Sequence, residues 1–200
     1  TDAVYDGTKG YFSENDPINP LNYYGISKYN GELEVLQKEN SIIFRTNFFG
    51  WNIQEKNSLS EWILEELRAK HNISCFKDAY FSSIYTLEFA KVIDIAIQKD
   101  LSGVYNCGST DSCSKFEFAQ KISDLFDLDK LLIKPISIDK FGFQGKRGKN
   151  LSTTTKSNNR DGFVYKYRNL VFLPRQNVYL RQMMFVGVHR VPLGPSVRTI

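Results

Sequence analysis

Cysteine and histidine are scarce in this 200-residue chain: Cys75, Cys107 and Cys113, with His71 and His189, are all it carries. Three thiols without C-x-x-C spacing suit neither a disulfide framework nor a zinc site, and reduced thiols are expected. Two histidines leave no histidine-rich metal site, so no metal is expected. No apolar run approaches the roughly 20 residues that span a bilayer, which argues against a membrane protein. The opening Thr-Asp-Ala-Val has neither the basic nor the apolar region of a secretory leader, and a cytoplasmic location is expected by default. Also missing is the glycine-rich turn between a strand and a helix that cradles dinucleotide phosphates. One G-x-x-G-x-x-G does occur, from Gly142 to Gly148. It has Pro135 in a short strand behind it and no helical apolar period ahead, so it reads as a loop.

What is present is an ordinary globular composition, 42% apolar and 24% charged, long enough to bury a substantial core. The net charge of +4 conceals two unlike parts. Residues 1–140 carry 15 Lys/Arg against 21 Asp/Glu, a net −6, whereas residues 141–200 carry 11 against Asp161 alone, a net +10. A basic tail can mean nucleic acid or membrane contact. Here its arginines lie outside any recognisable binding fold, which argues against nucleic acid. The expected division is a body over residues 1–155 and a divergent basic tail over 156–200.

Within the body, residues 1–5 read as the end of a strand and 6–22 as a loop rich in Gly, Pro and Asn. A helix is predicted over 23–39, with Asn22 as its N-cap and Leu33, Val35 and Leu36 among its apolar positions. Ser41–Thr46 fits a buried parallel strand, followed by a loop over 47–52. A helix over 60–70 presents Trp62, Ile63, Leu64 and Leu67. Strands are expected at 73–76, 81–85, 103–107 and 133–138, and helices at 87–98 and from Ser114 to about Phe126. Ser114-Lys-Phe-Glu117 has the form of a capping box. Strands alternating with helices indicate an α/β fold.

The chemistry concentrates between Pro20 and Gly31. Tyr24 and Lys28 stand four residues apart at the head of the first helix, on one face and one turn from each other. An ammonium beside a phenol favours the phenolate and lowers the tyrosine pKa from about 10. Such a tyrosine can exchange a proton with a sugar or alcohol oxygen near neutral pH.

The flanking residues narrow this further. Thr1-Asp-Ala-Val-Tyr-Asp-Gly7, Pro20-Leu-Asn-Tyr-Tyr24-Gly-Ile-Ser-Lys28 and Ile42-Ile-Phe-Arg45-Thr46-Asn-Phe-Phe-Gly50 occur in order at matching separations. Together they resemble the active-site half of the extended short-chain dehydrogenase/reductases, in particular the dTDP-4-dehydrorhamnose reductase branch. The resemblance covers about residues 1–155. It implies the C-terminal half of a Rossmann-type parallel sheet with a small α/β substrate lobe, without the N-terminal half that binds NADP or NAD. It further implies a catalytic trio of Thr1, Tyr24 and Lys28, with Tyr24 and Lys28 also meeting the cofactor. Asp2, Asn47 and Phe48 would meet the substrate, although an aromatic residue such as Phe48 could equally plug the edge of the core. The reaction implied is NAD(P)-dependent reduction of a nucleotide-linked 4-keto-6-deoxy sugar, and the assembly a homodimer. This chain by itself is expected to have little or no reductase activity. An epimerase or dehydratase would need a further acid or base, for which Asp2 is placed only by position. The regulatory subunit of methionine adenosyltransferase resembles the same branch, so a non-catalytic binding role stays open.

Overall fold

The computed structural model describes residues 1–52 and 57–154; the expectations for residues 156–200 lie outside them. It is an α/β fold whose first helix, α1 (Tyr23–Leu36), begins where Asn22 Oδ1 accepts the Gly25 N–H at 3.0 Å. The helix stops short of the expected Glu39. Its buried positions are Gly25 and Glu32, whereas Leu33, Val35 and Leu36 are exposed. The expectation of an apolar inner face is corrected here for a physical reason. The helix docks through the Glu32 carboxylate, which meets the Arg45 guanidinium at 2.8 Å with both side chains buried.

Arg45 lies in β1 (Ile42–Phe49), the central strand of a parallel sheet. Its first half pairs with β5 (Gly103–Cys107) and its second half with β4 (Ser83–Tyr85). Pairing of Asn47 with Ser83 through Phe49 with Tyr85 carries the strand past Thr46, so Asn47 and Phe48 sit in a strand rather than in the expected loop. Helix α3 (Thr86–Gln98) covers this sheet, with Val92 packed against Ile84 and Cys107.

The second body is a lobe built on α2 (Leu59–Arg68), α4 (Lys115–Phe126), the parallel pair β2 (Ile73–Phe76) and β7 (Ile133–Ile136), and three short strands. Both helices open with reciprocal capping boxes, Ser58 with Glu61 and Ser114 with Glu117. Their apolar faces enclose Ile63, Leu64, Leu67, Phe118, Ala119 and Ile122 against β2 and β7. Pro135 is accommodated because β7 pairs only with β2 among the described residues, leaving an edge for its missing N–H. The short strands are β3 (Tyr80–Phe81), antiparallel to β6 (Cys113–Ser114) and parallel to β8 (Asn150–Leu151).

The expected strand over 81–85 therefore splits. Phe81 belongs to the lobe and Ser83 to the sheet, with Ser82 the only residue between them. A Cβ on Gly108 would fall 2.7 Å from the Ser82 carbonyl oxygen, and Ser82 Oγ accepts the Thr153 N–H at 3.3 Å. The opening residues also differ from expectation. Asp2–Val4 form a 3₁₀ turn, not a strand end, closed by Tyr5 N–H to the Asp2 carbonyl at 3.1 Å and capped by Thr1 Oγ1 on the Ala3 N–H at 3.3 Å. No helix among the described residues is long and apolar enough to cross a membrane.

Candidate active site

Between the sheet and the lobe lies a cavity of about 810 Å³, lined in part by Thr1, Asp2, Tyr24, Asn47, Lys115 and Arg147. Four of the six expected site residues are thus brought to one space. Lys28 and Phe48 are not in its wall. Lys28 stays beside Tyr24, its Nζ 5.7 Å from the ring centroid. Phe48 stacks on Phe89 of α3, with centroids 6.0 Å apart and rings 12° from parallel.

The position of Tyr24 follows from its neighbours. Asn22 caps the helix and also donates from Nδ2 to the Lys146 carbonyl at 2.9 Å, tying the start of α1 to the 142–148 loop. Gly25 lets the helix backbone approach the Asp2–Val4 turn closely. A Cβ there would meet the Ala3 carbonyl oxygen and lie 2.8 Å from Pro20 Cβ. Tyr24 is 54% exposed and Thr1 half-buried. Gly25→Ala should push α1 off the turn and destabilise the fold by about 1–3 kcal/mol, read from the urea midpoint at an unchanged m-value. A variant as stable as wild type would show that the contact does not matter.

Asp2 is buried and held on both oxygens, by Thr1 Oγ1 at 3.3 Å and Asn47 Nδ2 at 3.0 Å. Burial raises its pKa, with the Asn47 bond and the Lys115 charge working against that rise. Lys115 is the residue that sequence reasoning missed. Its Nζ sits 3.6 Å from the centroid of the Phe81 ring. Burial lowers it to about 8, while the charge of Asp2 works the other way. It is also the first residue of α4, where the positive end of the helix dipole disfavours a cation. A lysine immediately inside a capping box was the available signal, because local rules tend to be broken where function requires it. Arg147, at the exposed rim, lies with its guanidinium carbon 4.2 Å from the Phe143 ring centroid.

The thiols take no part in such chemistry. Burial pushes Cys75 and Cys107 up to about 12 and Cys113 up to about 11, so they remain protonated and weakly nucleophilic.

A nicotinamide cofactor does not fit the described residues as a whole. Gly142–Gly148 form an irregular loop between a 3₁₀ turn and β8, without the helix N-terminus that receives a pyrophosphate. Of its glycines Gly148 serves packing, lying against the backbone of Gly7, whereas a side chain at Gly142 would meet open space.

The whole arrangement matches a known domain. Residues 1–171 correspond to the RmlD substrate binding domain. The chain belongs to that family.

A dTDP-4-dehydrorhamnose reductase from Bacillus anthracis str. Ames in complex with NADP superimposes with a TM-score of 0.75 at 29% identity. The match covers 84% of this chain and 59% of that one. Similar curated sequences include methionine adenosyltransferase 2 subunit beta of Danio rerio, 28% identical over 75% of this chain and 49% of its own length. A spore coat polysaccharide biosynthesis protein of Bacillus subtilis (strain 168) is 29% identical over 71% of this chain and 50% of its own. The chain thus spans about half the length of the curated relatives it matches.

Proposed function

We propose that this RmlD-type chain is the substrate half of a nucleotide-sugar reductase, acting on the ketone of a 4-keto-6-deoxy sugar. The observation that carries the reading is the single cavity that collects Thr1, Asp2, Tyr24 and Asn47. Its aromatic residues, among them Tyr23, Trp62 and Tyr80, suit a base or sugar ring, since pockets for such ligands combine apolar walls with a few polar groups. Thr1 Oγ1, turning its one proton from Asp2, would hold the carbonyl oxygen. Tyr24 would give that oxygen its proton, with Lys28 one turn along, its Nζ 5.7 Å from the ring centroid. Arg147, an exposed cation at the rim, would meet the diphosphate.

Reduction also needs a hydride, which NADPH or NADH supplies in this chemistry. Since the described residues form no cradle for its phosphates, the reading for this chain is limited to binding and proton donation. The chain alone should bind a dTDP-linked sugar in calorimetry yet show no turnover with NADPH and a 4-keto-6-deoxy nucleotide sugar. Joined to a dinucleotide-binding half it should turn over, and Tyr24→Phe should then lower kcat roughly 10²- to 10⁴-fold while leaving sugar-nucleotide affinity within about threefold. Unchanged kcat in the Tyr24→Phe protein removes Tyr24 as the acid. A second reading, a non-catalytic binding subunit, draws support from the similarity to methionine adenosyltransferase 2 subunit beta. In that case the Tyr24→Phe protein would bind its partner normally, and no form would reduce the sugar.

A further inference from the structure

Lys115 and Asp2 have the makings of a recognition device that the proton-donating role of Tyr24 leaves unused. Both line the cavity, and each feels the charge of the other. Yet no salt bridge among the described residues includes either of them. The two side chains face a common space without closing on each other.

Each has unused hydrogen-bonding capacity. The two Asp2 oxygens accept one hydrogen bond apiece, from Thr1 and Asn47, and an ionised carboxylate offers about four acceptor sites. The Lys115 ammonium has three donors and rests on the face of Phe81, where the attraction is to the ring quadrupole and no oxygen accepts. The backbone holds it there: Lys115 N–H donates to the Ala79 carbonyl at 3.0 Å, and β6 pairs with β3 immediately beforehand.

The chemistry of the missing third party follows. A phosphate would suit the ammonium but be repelled by the nearby carboxylate. An apolar group would leave both charges desolvated without hydrogen bonds, which is costly. A hydroxyl donates and accepts at once. We propose that Asp2 and Lys115 together read a sugar hydroxyl next to the reacting carbon, with the carboxylate accepting its proton and the ammonium donating to its oxygen. This rests on the nucleotide-sugar reading above and adds a requirement to it: the ligand must keep that hydroxyl. A site built to bond a hydroxyl discriminates strongly against ligands lacking it, because its own polar groups are then left without partners.

The test compares dTDP with dTDP-glucose by calorimetry on this chain and on Lys115→Met. Methionine reproduces the apolar stem, one atom shorter, and removes a desolvated charge. An ammonium held near 8 against its free 10.5 weakens folding below about pH 8, a cost relieved as pH rises toward 10.5, so the variant should fold at neutral pH. Far-UV circular dichroism and the melting temperature check this. Wild type should bind dTDP-glucose more tightly than dTDP. Lys115→Met should lose roughly 10- to 100-fold in affinity for dTDP-glucose, as expected for a hydrogen bond to a charged group, with dTDP changed less than twofold. Asp2→Asn should show the same selective loss. Equal losses for both ligands would make Lys115 a phosphate ligand and overturn the proposal, as would no loss for either or equal wild-type affinities. If wild type binds neither nucleotide, the nucleotide-sugar reading falls with it.

Discussion

Glu32→Ala should be among the most damaging single changes to this chain, lowering its stability by about 3–5 kcal/mol. Glu32 accepts from Arg45 Nε at 3.2 and 3.1 Å and from Nη2 at 2.8 Å, and both residues are buried. Burial works against the Arg45 charge, but the bonds to Glu32 and Tyr5 outweigh it and hold the guanidinium above its ordinary pKa. Arg45 Nη1 also donates to Tyr5 Oη at 3.0 Å, and Tyr5 passes a 3.0 Å bond on to Asn106 Oδ1. Removing the carboxylate leaves a buried cation with only Tyr5 Oη and the Glu14 carbonyl to accept from it. At about 2–4 °C per kcal/mol for a chain of this size, the melting temperature should fall by roughly 6–20 °C. Replacing both partners, as Glu32→Leu with Arg45→Met, should cost less than Glu32→Ala alone, since no charge is left stranded. A Glu32→Ala loss below about 1 kcal/mol in calorimetry would show that the pair does not anchor α1.

Phe118→Ala is the second change of this size. Phe118 is fully buried and meets Phe49 and Phe81 edge-on, with centroids 5.2 and 5.4 Å away. It therefore joins α4, the end of β1 and the lobe strand β3. Emptying its place removes the transfer energy of a phenyl ring and opens a cavity, together about 3–5 kcal/mol. Because Phe81 supports the Lys115 ammonium, the loss should extend to ligand affinity. Urea unfolding of the free chain and calorimetry with dTDP-glucose measure the two effects separately. Lost stability with unchanged affinity would mean that Phe81 is held without Phe118.

How much of this was readable beforehand depends on whether the information is local. The start of α1 follows from Asn22, and that of α4 from Ser114 and Glu117, because a cap is decided within four residues. The shared face of Tyr24 and Lys28 follows from helical spacing, and their setting from the ordered motifs around them. The inward side of α1 was misjudged because its anchor is an ion pair to a residue thirteen positions on, and Glu32 in isolation resembles a solvated charge. Asn47 and Phe48 read as loop from the sequence because the neighbour that extends β1 arrives only at Ser83. Lys115 was passed over because its meaning depends on Phe81 and Asp2, both distant in sequence. Charges that reach across the fold leave no period in the chain.

The junction at Ser82 bears on how a ligand gets in. A single residue offers two backbone torsions, and here its carbonyl lies where any side chain on Gly108 would strike it, while its hydroxyl holds Thr153. Sheet and lobe are thus joined here with little slack, so a change at Ser82 should alter the width of the cavity between them.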